Sequence, residues 1–509
     1  MNCRNEATIG TKRSDRHALI IGGSLAGLFA ARVLADSFKT VTILDRDIFP
    51  LTPDHRKGVP QSYHAHGLLP TAFPIIEQLF PGIINDLCKD GADVASDIIP
   101  LAIVSPKGLL PLPKMLEVSI NFSRPLLEWH VQNHVSKFSN IYIITNIEVT
   151  GLLATHDLTR VIGVQMHERG GQGCNSNTIT RLYADLVVDA SGRHSKAPQW
   201  LAELGYGGPR VETINSNLRY ASRFYLKPDQ FPAKWQNLII NRRPPNDHGG
   251  VILSVDHGRW HVTLGGMAGK APPIDEEGFL QWAQELADPS IYEAMRIAQP
   301  LTLIRGYGTP ENHFRHFELM QRWPTGFIVT GDAVCAFNPI YGQGMTVSAF
   351  DAMILKRCLQ EQQNLPRVNF ELHFQQQLAE TIATPWLLAT TEDLRWPTVK
   401  LRGASPNPRL YFLRRYLDLV LYAAIVDPKI AQAYFNVIIL ATPLRSLLSL
   451  RMAARILTTA SKRAIKRLLH DEDSCGQALS REEISLIRSL PINNDNKIRP
   501  PVSFIERKM

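Results

Sequence analysis

The chain has 509 residues, 44% of them hydrophobic, which is enough to bury a large core in two or three domains. Its six cysteines are scattered without C-x-x-C pairs or ligand-like spacing, which excludes a disulfide framework and a zinc site and indicates a reducing, cytoplasmic compartment. The net charge of +8 is matched by eight basic residues between positions 428 and 470, where no acidic residue occurs, so a nucleic-acid-binding protein with a general basic face is excluded.

The first predicted unit is a nucleotide-binding strand, turn and helix. The apolar run Ala18–Ile21 is typical of a buried parallel strand, and apolar residues recur behind it at the helical period. Gly22 permits the turn, Gly27 lets the helix pack close to the sheet, and the helix N-terminus offers N–H groups to a pyrophosphate. Ser24 replaces the usual middle glycine but is small enough to leave that approach open. Asp45 ends the next apolar run, where a carboxylate accepts hydrogen bonds from an adenosine ribose.

The middle of the chain continues this sheet and then adds a second one. The next predicted elements are a helix that begins at Ser123 and strands at 141–144, 161–167, 178–183 and 186–189. Alternating strands from about 217 to 266, with a hairpin around Asp256-His-Gly, predict an inserted antiparallel sheet. On that sheet Tyr220, Phe224 and Trp260 alternate as core residues do, or they line an apolar substrate pocket.

The C-terminal part is predicted to be helical from about Trp386. The leucine-rich basic region before residue 470 fits a packed cap or a helix that lies on a bilayer, and we favour the cap because long cationic side chains also cover apolar surface. No apolar run reaches about 18 residues, so no transmembrane span is predicted. A polar tail follows, in which Ser480 and Glu483 have capping-box spacing.

Four of these segments make the chain resemble the FAD-dependent monooxygenase superfamily, the aromatic-hydroxylase fold, over most of residues 17–400. The opening turn with Asp45 is similar to the FAD adenosine site of that superfamily. Arg124, in the run Ser-Arg-Pro-Leu-Leu-Glu-Trp, resembles an arginine that lies over the flavin or its pyrophosphate. The run Gly-Asp-Ala-Val-Cys-Ala-Phe-Asn-Pro at 331–339, followed by Gly-Gln-Gly-Met, is similar to the third FAD motif, in which Asp332 would hold ribityl or ribose hydroxyls. The predicted cofactor-binding residues are Gly22, Gly23, Ser24, Ala26, Gly27, Asp45, Arg46, Arg124, Asp332, Pro339, Gly342, Gly344 and Met345.

The fourth match departs from the family pattern. Ser191 stands where the family has an aspartate implicated in flavin and nicotinamide binding, so the electron donor is either NAD(P)H or a separate flavin reductase. The run Asp-Ala-Ser-Gly-Arg at 189–193 also resembles flavin halogenases and epoxidases served by other reductants. The spacing around Gln61-Ser-Tyr-His-Ala-His-Gly is most similar to the branch of bacterial polyether epoxidases, related to squalene epoxidase.

The resemblance implies an α/β fold with a Rossmann-like FAD-binding domain built from discontinuous segments, an inserted antiparallel-sheet substrate domain and a helical C-terminal region. The expected division is FAD-binding domain at 15–85, 121–205 and 301–385, substrate domain at 86–120 and 206–300, helical cap at 386–470, and polar tail at 471–509.

The resemblance also implies a monooxygenase that captures molecular oxygen as a flavin peroxide and epoxidises or hydroxylates a small lipophilic metabolite, terpenoid or polyketide-like. Three alternatives stay open: a halogenase, although the W-x-W-x-I-P signature is absent; an isoprenoid double-bond reductase, although P-x-x-Y-x-W-x-F-P is absent; and a non-catalytic flavin-binding protein. The sequence identifies no catalytic residue. His64 and His66 lack a third ligand, so no metal site is predicted and a polar or structural role is expected.

Overall fold

The computed structural model describes residues 16–94, 99–106, 108–111, 120–169, 179–229, 231, 235–309, 311–404 and 408–469. The polar tail at 471–509, with Ser480 and Glu483, lies outside the described residues.

The described helices are α1 (Leu25–Leu34), α2 (Phe73–Leu79), α3 (Ile83–Lys89), α4 (Arg124–Ser136), α5 (Ala197–Glu203), α6 (Glu276–Gln284), α7 (Ser290–Ile297), α8 (Gly344–Asn364), α9 (Phe370–Asp393), α10 (Pro408–Ala424), α11 (Pro428–Ile438) and α12 (Leu450–Leu469).

The described strands are β1 (His17–Ile21), β2 (Thr40–Leu44), β3 (Asp93–Val94), β4 (Ile99–Ser105), β5 (Gly108–Leu109), β6 (Ile120–Asn121), β7 (Ile141–Ile144), β8 (Ile147–Ala154), β9 (Val161–Glu168), β10 (Thr180–Tyr183), β11 (Leu186–Asp189), β12 (Arg210–Asn215), β13 (Leu218–Leu226), β14 (Trp235–Ile240), β15 (His248–Val255), β16 (Arg259–Gly266), β17 (Gln299–Pro300), β18 (Arg305–Thr309), β19 (Asn312–His316), β20 (Phe327–Val329), β21 (Cys335–Ala336) and β22 (Lys400–Arg402).

A five-stranded parallel sheet in the order β20-β11-β1-β2-β7 forms the centre of the first domain. Most side chains of this sheet are buried, and Leu19, Val187 and Ile328 are fully buried. Helix α1 contacts β1 and β2, while β8 and β9 contact β2 and β11, respectively. The neighbouring strands β11 and β20 come from parts of the chain more than 130 residues apart, since Val187 lies opposite Phe327. The predicted fold class, a Rossmann-like domain assembled from discontinuous segments, is therefore confirmed.

The strands predicted at 161–167 and 178–183 do form, as β9 and β10. With β8 they make a separate three-stranded antiparallel sheet beside the parallel one.

The second domain is built on a large sheet in the order β17-β13-β16-β15-β14-β4-β5, with β18 also paired to β13. The predicted hairpin is β15 and β16, in which Val255 lies opposite Arg259. The sheet is antiparallel except where β14 pairs with β4, which runs parallel to it. Strand β4 comes from an earlier segment of the chain than the other strands of the sheet, apart from β5. Trp260 packs in the core against α6 and α7, whereas its neighbour His261 lies on the opposite face beside Phe224. Trp260 is thus a core residue and does not line the other face, where Tyr220 and Phe224 lie.

The helical region begins earlier than Trp386. Helix α9 starts at Phe370 and buries Phe374, Leu378 and Ile382, which recur every four residues along one face. After α9, the short strand β22 pairs with β12. Three residues are too few for an alternation of polar and apolar side chains to predict β22 from the sequence.

Helices α10, α11 and α12 pack around a separate hydrophobic core that contains Val420, Ile430 and Ile456. Leu388 of α9 also contributes to this core. Within the described ranges, no helix is both long enough and apolar enough to span a bilayer.

Candidate active site

One cavity of about 430 Å³ opens between the parallel sheet and the loop that precedes α8. The glycine turn after β1 and the glycine turn before α8, about 320 residues later, both line it. The predicted site residues that line it are Gly22, Ser24, Ala26, Asp45, Arg46, Arg124, Asp332, Pro339, Gly342, Gly344 and Met345. Gly23 and Gly27 lie behind this lining, where they shape the turn.

The turn after β1 tolerates only glycine at two positions. Gly22 has φ +100°, and an added Cβ would lie 2.5 Å from the carbonyl oxygen of Ala190. A Cβ on Gly27 would lie 1.9 Å from the Gly22 carbonyl oxygen, so the first turn of α1 packs directly against the turn. The backbone N–H groups at the start of α1 consequently stand at the cavity wall, where the helix dipole favours negative charge.

Two backbone N–H groups, one in the glycine turn and one just after β2, hold the carboxylate of Asp45. Its carboxylate accepts hydrogen bonds from the N–H of Gly23 at 2.6 Å and of Asp47 at 2.8 Å. It also accepts one from Arg56 Nη1 at 3.2 Å. The side chain that was predicted to hold a ribose therefore also fixes the glycine turn to the end of β2.

Arg56 is a buried cation that the sequence analysis missed. Its Nε and Nη2 donate to Glu128 Oε1 of α4 at 2.9 and 2.5 Å, in addition to the bond to Asp45. Burial alone would lower the pKa of Arg56, but the carboxylates of Glu128, Asp45 and Asp47 raise it above its ordinary value. No local spacing pointed to Arg56, because its partner on α4 is 72 positions away.

Arg124 begins α4 and points its guanidinium at the glycine turn. Its Nη2 donates to Ser24 Oγ at 3.1 Å, and its Nε donates to Glu128 Oε2 at 3.4 Å. The Ser123 hydroxyl caps the helix by accepting a hydrogen bond from the N–H of Leu126. A cation is thereby fixed beside the N-terminus of α1, and both favour an anion there.

Asp332 presents a carboxylate to the opposite side of the cavity. In the part of the chain that the structure describes, no donor reaches this carboxylate, although its backbone carbonyl faces His313. Burial raises the pKa of Asp332, and the charges of Arg193, Arg124 and Arg315 oppose that effect. A Cβ on Gly344 would lie 4.0 Å from Asp332 Oδ1, so the carboxylate lies beside the N-terminus of α8.

Asp351 of α8 supports the loop that carries Asp332. Its Oδ2 accepts hydrogen bonds from the N–H of Gly331 at 3.0 Å and from Thr330 Oγ1 at 3.3 Å. Burial raises the pKa of Asp351 to about 7. Gly331 itself has φ +63°, a conformation that glycine adopts without strain.

The motif that departs from the family pattern also reaches the cavity. Ser191 is exposed there, and its N–H donates to Asp189 Oδ1 at 2.9 Å. Ser195 Oγ donates to the other oxygen of Asp189 at 2.5 Å. Arg193 donates to the carbonyl of Phe337 at 3.1 Å, which joins this loop to the third motif.

The histidines of the Tyr63-His-Ala-His segment lie between the two domains. His64 Nδ1 is 2.8 Å from Ser222 Oγ on the large sheet, and His66 Nδ1 is 2.8 Å from the carbonyl of His64. Burial lowers the pKa of His64 to about 4 and that of His66 to about 3, so both are neutral at pH 7. Among the described residues, no group of three or more His, Cys, Asp or Glu side chains could hold a metal ion.

Comparison with known proteins identifies a matching family model and a relative of this chain. Residues 263–375 match the family model described as squalene epoxidase. The chain is 30% identical over 426 residues to Protein Rv3254 of Mycobacterium tuberculosis, which covers 82% of this chain and 88% of that protein.

Two solved structures share the fold. The p-nitrophenol 4-monooxygenase PnpA from Pseudomonas putida DLL-E4 aligns with TM-score 0.58 and 16% identity over 83% of this chain and 97% of its own. The flavin-dependent brominase Bmp2 aligns with TM-score 0.57 and 12% identity over 88% of this chain and 100% of its own. The chain belongs to the same family as Protein Rv3254, and it shares the fold of the two solved structures.

Proposed function

We propose that this protein is an FAD-dependent monooxygenase that epoxidises or hydroxylates a small lipophilic metabolite. The observation that carries the proposal is that two glycine turns far apart in sequence, each with its own carboxylate, line one cavity. A fold alone supports many chemistries, so the argument depends on these residues.

The residues fit FAD. The N-terminus of α1, with Arg124 beside it, would hold the pyrophosphate, because it combines free N–H groups with positive charge. Asp45 and Arg46 would hold the adenosine end. Asp332, a carboxylate without a donor from the described residues, would accept hydrogen bonds from ribityl hydroxyls. When bound and reduced, FAD supplies the activation of molecular oxygen.

The protein's own contribution is to hold charges and exclude water. Arg124 and Arg193 place positive charge beside the two turns, which favours an anionic cofactor. Phe337 and Tyr307 line the cavity toward the large sheet, and apolar walls there limit the access of water to the reacting atoms. His64 and His66, both neutral at pH 7, add no charge to this side.

The electron donor is part of the proposal. Ser191 is exposed at the cavity and carries no charge, so it does not supply the negative charge of the aspartate that the family has at this position. The donor is therefore NAD(P)H acting directly or NAD(P)H acting through a separate flavin reductase. Mixing the oxidised protein under anaerobic conditions with NADH or NADPH alone, or with NADH or NADPH plus a flavin reductase, separates the two by the loss of flavin absorbance.

The test of function is oxygen consumption by the purified, FAD-loaded protein, supplied with NADH or NADPH and a flavin reductase as electron source, with a panel of terpenoid and polyketide-like molecules. Monooxygenation predicts a product heavier by one oxygen that carries label from ¹⁸O₂. A brominated or chlorinated product in the presence of halide would instead indicate a halogenase, and anaerobic saturation of a double bond would indicate a reductase. Bound FAD without any substrate-stimulated oxygen uptake would leave a flavin-binding protein.

Membrane contact of the C-terminal helices, the alternative to a packed cap, remains untested. Helix α12 buries Ile456 and Ala460 in the helical core, while Leu450 and Leu457 are 91% and 54% exposed. Arg455 is engaged in an ion pair with Asp427 at 2.7 Å, so part of the basic charge stabilises the helical packing itself.

A further inference from the structure

Arg242 is a cation that forms no ion pair with any described residue, although Asp393 lies close enough for its charge to act on the guanidinium. It follows β14 and is half-buried, and its Nε is inaccessible to solvent. Among the described residues, no acceptor forms a hydrogen bond with this Nε and no carboxylate forms an ion pair with the guanidinium. Removing a cation from water without a partner is costly, and such groups in proteins are normally paired.

The fold makes space for this guanidinium on the sheet face directed at the cofactor cavity. Gly249 of β15 lies opposite Gly265 of β16, and Arg242 Nη1 occupies the space where their side chains would be. A Cβ on Gly265 would lie 2.6 Å from Nη1, and one on Gly249 would lie 3.3 Å from it. In the same cross-strand row, Tyr220 lies opposite both Gly265 and Tyr307, and Tyr307 lines the cavity.

The nearby acids are already engaged. Both oxygens of Asp393, which is fully buried, accept hydrogen bonds: Oδ1 from the Tyr341 hydroxyl at 2.7 Å and Oδ2 from Asn312 at 2.5 Å. Tyr341 adjoins Gly342 of the third motif, so this group lies at the cofactor loop. Burial lowers the pKa of Arg242, and the charges of Tyr341 and Asp393 only partly oppose that effect.

The next residue shows what a structural arginine looks like in this place. Arg243 pairs with Asp418 at 2.5 Å and with Glu392 at 3.3 Å, and Arg395 pairs with the same two carboxylates. Glu392 and Asp418 are therefore both used by Arg243 and Arg395, and among the described residues neither forms an ion pair with Arg242.

We propose that Arg242 binds an ionised oxygen of the substrate, a carboxylate or an ionised phenol or enol, while the apolar body of the substrate lies against Tyr220 and Tyr307. A guanidinium offers a planar fork of donors that matches such oxygens. Tyr307 lines the cavity, and its ring contacts that of Tyr220 at 5.4 Å between centroids, so an aromatic wall lies on the same sheet face as the guanidinium. The inference rests on the proposed function and narrows its substrate class from a lipophilic molecule to a lipophilic acid.

The test is calorimetric binding of matched pairs to the FAD-loaded protein: benzoate, 2-naphthoate and 4-phenylbenzoate against the corresponding uncharged alcohols. We expect at least one acid to bind wild type about tenfold or more tightly than its alcohol, because a charge-assisted hydrogen bond is lost with the alcohol. In R242Q that preference falls to within about twofold.

The matched control is R219Q. Arg219 is an exposed arginine on the opposite face of the same sheet, and its guanidinium also lies over a glycine of a neighbouring strand, Gly308. R219Q removes the same charge and should keep the acid preference of wild type. Retention of the preference by R242Q, its absence from wild type, or failure of all three acids to bind would each overturn the proposal.

A second readout separates ligand binding from a structural role. Because the cation lacks a partner, R242M should melt at the same temperature as wild type or higher when no ligand is present. A clearly lower melting temperature would assign Arg242 to the stability of the domain and overturn the proposal. If the wild-type protein binds no FAD or carries out no oxygen chemistry, the proposed function is wrong. If R242Q binds FAD, is active and keeps the acid preference of wild type, only the present inference is wrong.

Discussion

Arg124 Nη2 donates a hydrogen bond to Ser24 Oγ at 3.1 Å, although the two residues are 100 positions apart. Ser24 takes the place of the usual middle glycine of the turn, and its hydroxyl gives the arginine a fixed partner at the start of α1. The substitution therefore connects the first and second predicted cofactor motifs.

Arg124→Ala should weaken FAD binding by about tenfold or more, because the pyrophosphate loses a charge-assisted hydrogen bond and Ser24 loses its donor. Equilibrium titration of deflavinated protein with FAD measures the effect. Arg357→Ala, which removes an exposed arginine of α8, is the control and should bind FAD as wild type does. Equal affinity of Arg124→Ala and wild type would remove Arg124 from the cofactor site.

Asp332→Ala should also weaken FAD binding, by a similar factor of about ten, since the ligand hydroxyls lose their acceptor. Asp332→Asn keeps an acceptor oxygen and should retain more affinity. Asp36→Ala removes a half-exposed carboxylate whose only ion-pair partner among the described residues is Arg32, and it should leave FAD binding unchanged. If Asp332→Ala stays fully yellow through gel filtration, the role given to this carboxylate is wrong.

Gly27→Ala should lower both stability and FAD affinity, because the new Cβ would lie 1.9 Å from the Gly22 carbonyl oxygen and the helix must move away. We expect a loss of about 1–3 kcal/mol in the free energy of unfolding, as for other overpacked sites. Gly208→Ala is the control, because nothing lies within 4 Å of its Cβ position. Urea unfolding that is identical for Gly27→Ala and wild type would contradict the close packing of α1 on the turn.

Asp351 should make stability depend on pH near neutrality. Its pKa is raised from 3.8 to about 7 in the folded protein, so its contribution to stability is fully present below pH 4 and is lost as the pH rises through 7. Asp351→Asn cannot ionise, so its stability relative to wild type should improve by on the order of 2 kcal/mol between pH 5 and pH 8. A difference between the two proteins that does not change over this range would show that Asp351 does not titrate there.

The C-terminal helices give a test on vesicles. If the exposed leucines of α12 enter a bilayer, Leu450→Asp and Leu457→Asp should reduce sedimentation of the protein with anionic phosphatidylserine vesicles, and salt should do so too. Wild-type protein that stays in the supernatant at low salt would limit these helices to a role as a cap.

Local patterns carried the prediction of the fold and of most of the site. Gly22, Asp45 and Asp332 each stand at a fixed offset from a buried strand, so the strand pattern located them and placed them at one edge of the sheet. Helix α9 begins before the predicted start at Trp386. Its buried residues, such as Phe374 and Leu378, recur every four positions, but polar glutamines between them weaken the apolar pattern.

Long-range contacts could not be predicted in the same way. Arg56 reaches Glu128 across 72 positions, and nothing near Arg56 in sequence distinguishes it from an exposed arginine. Arg242 and Arg243 are adjacent in sequence, but among the described residues only Arg243 forms ion pairs, with carboxylates on α9 and α10. The partner of a charged side chain depends on the tertiary packing, which a single sequence does not display.

The most direct test of the central claim is the flavin content of four purified proteins: wild type, Arg124→Ala, Asp332→Ala and the double variant. The flavin is released by heat denaturation and quantified by chromatography. The account predicts one FAD per chain in wild type, less in each single variant and least in the double variant, because both residues hold the same ligand. A wild-type protein that binds no FAD, or a double variant that keeps one FAD per chain, would contradict it.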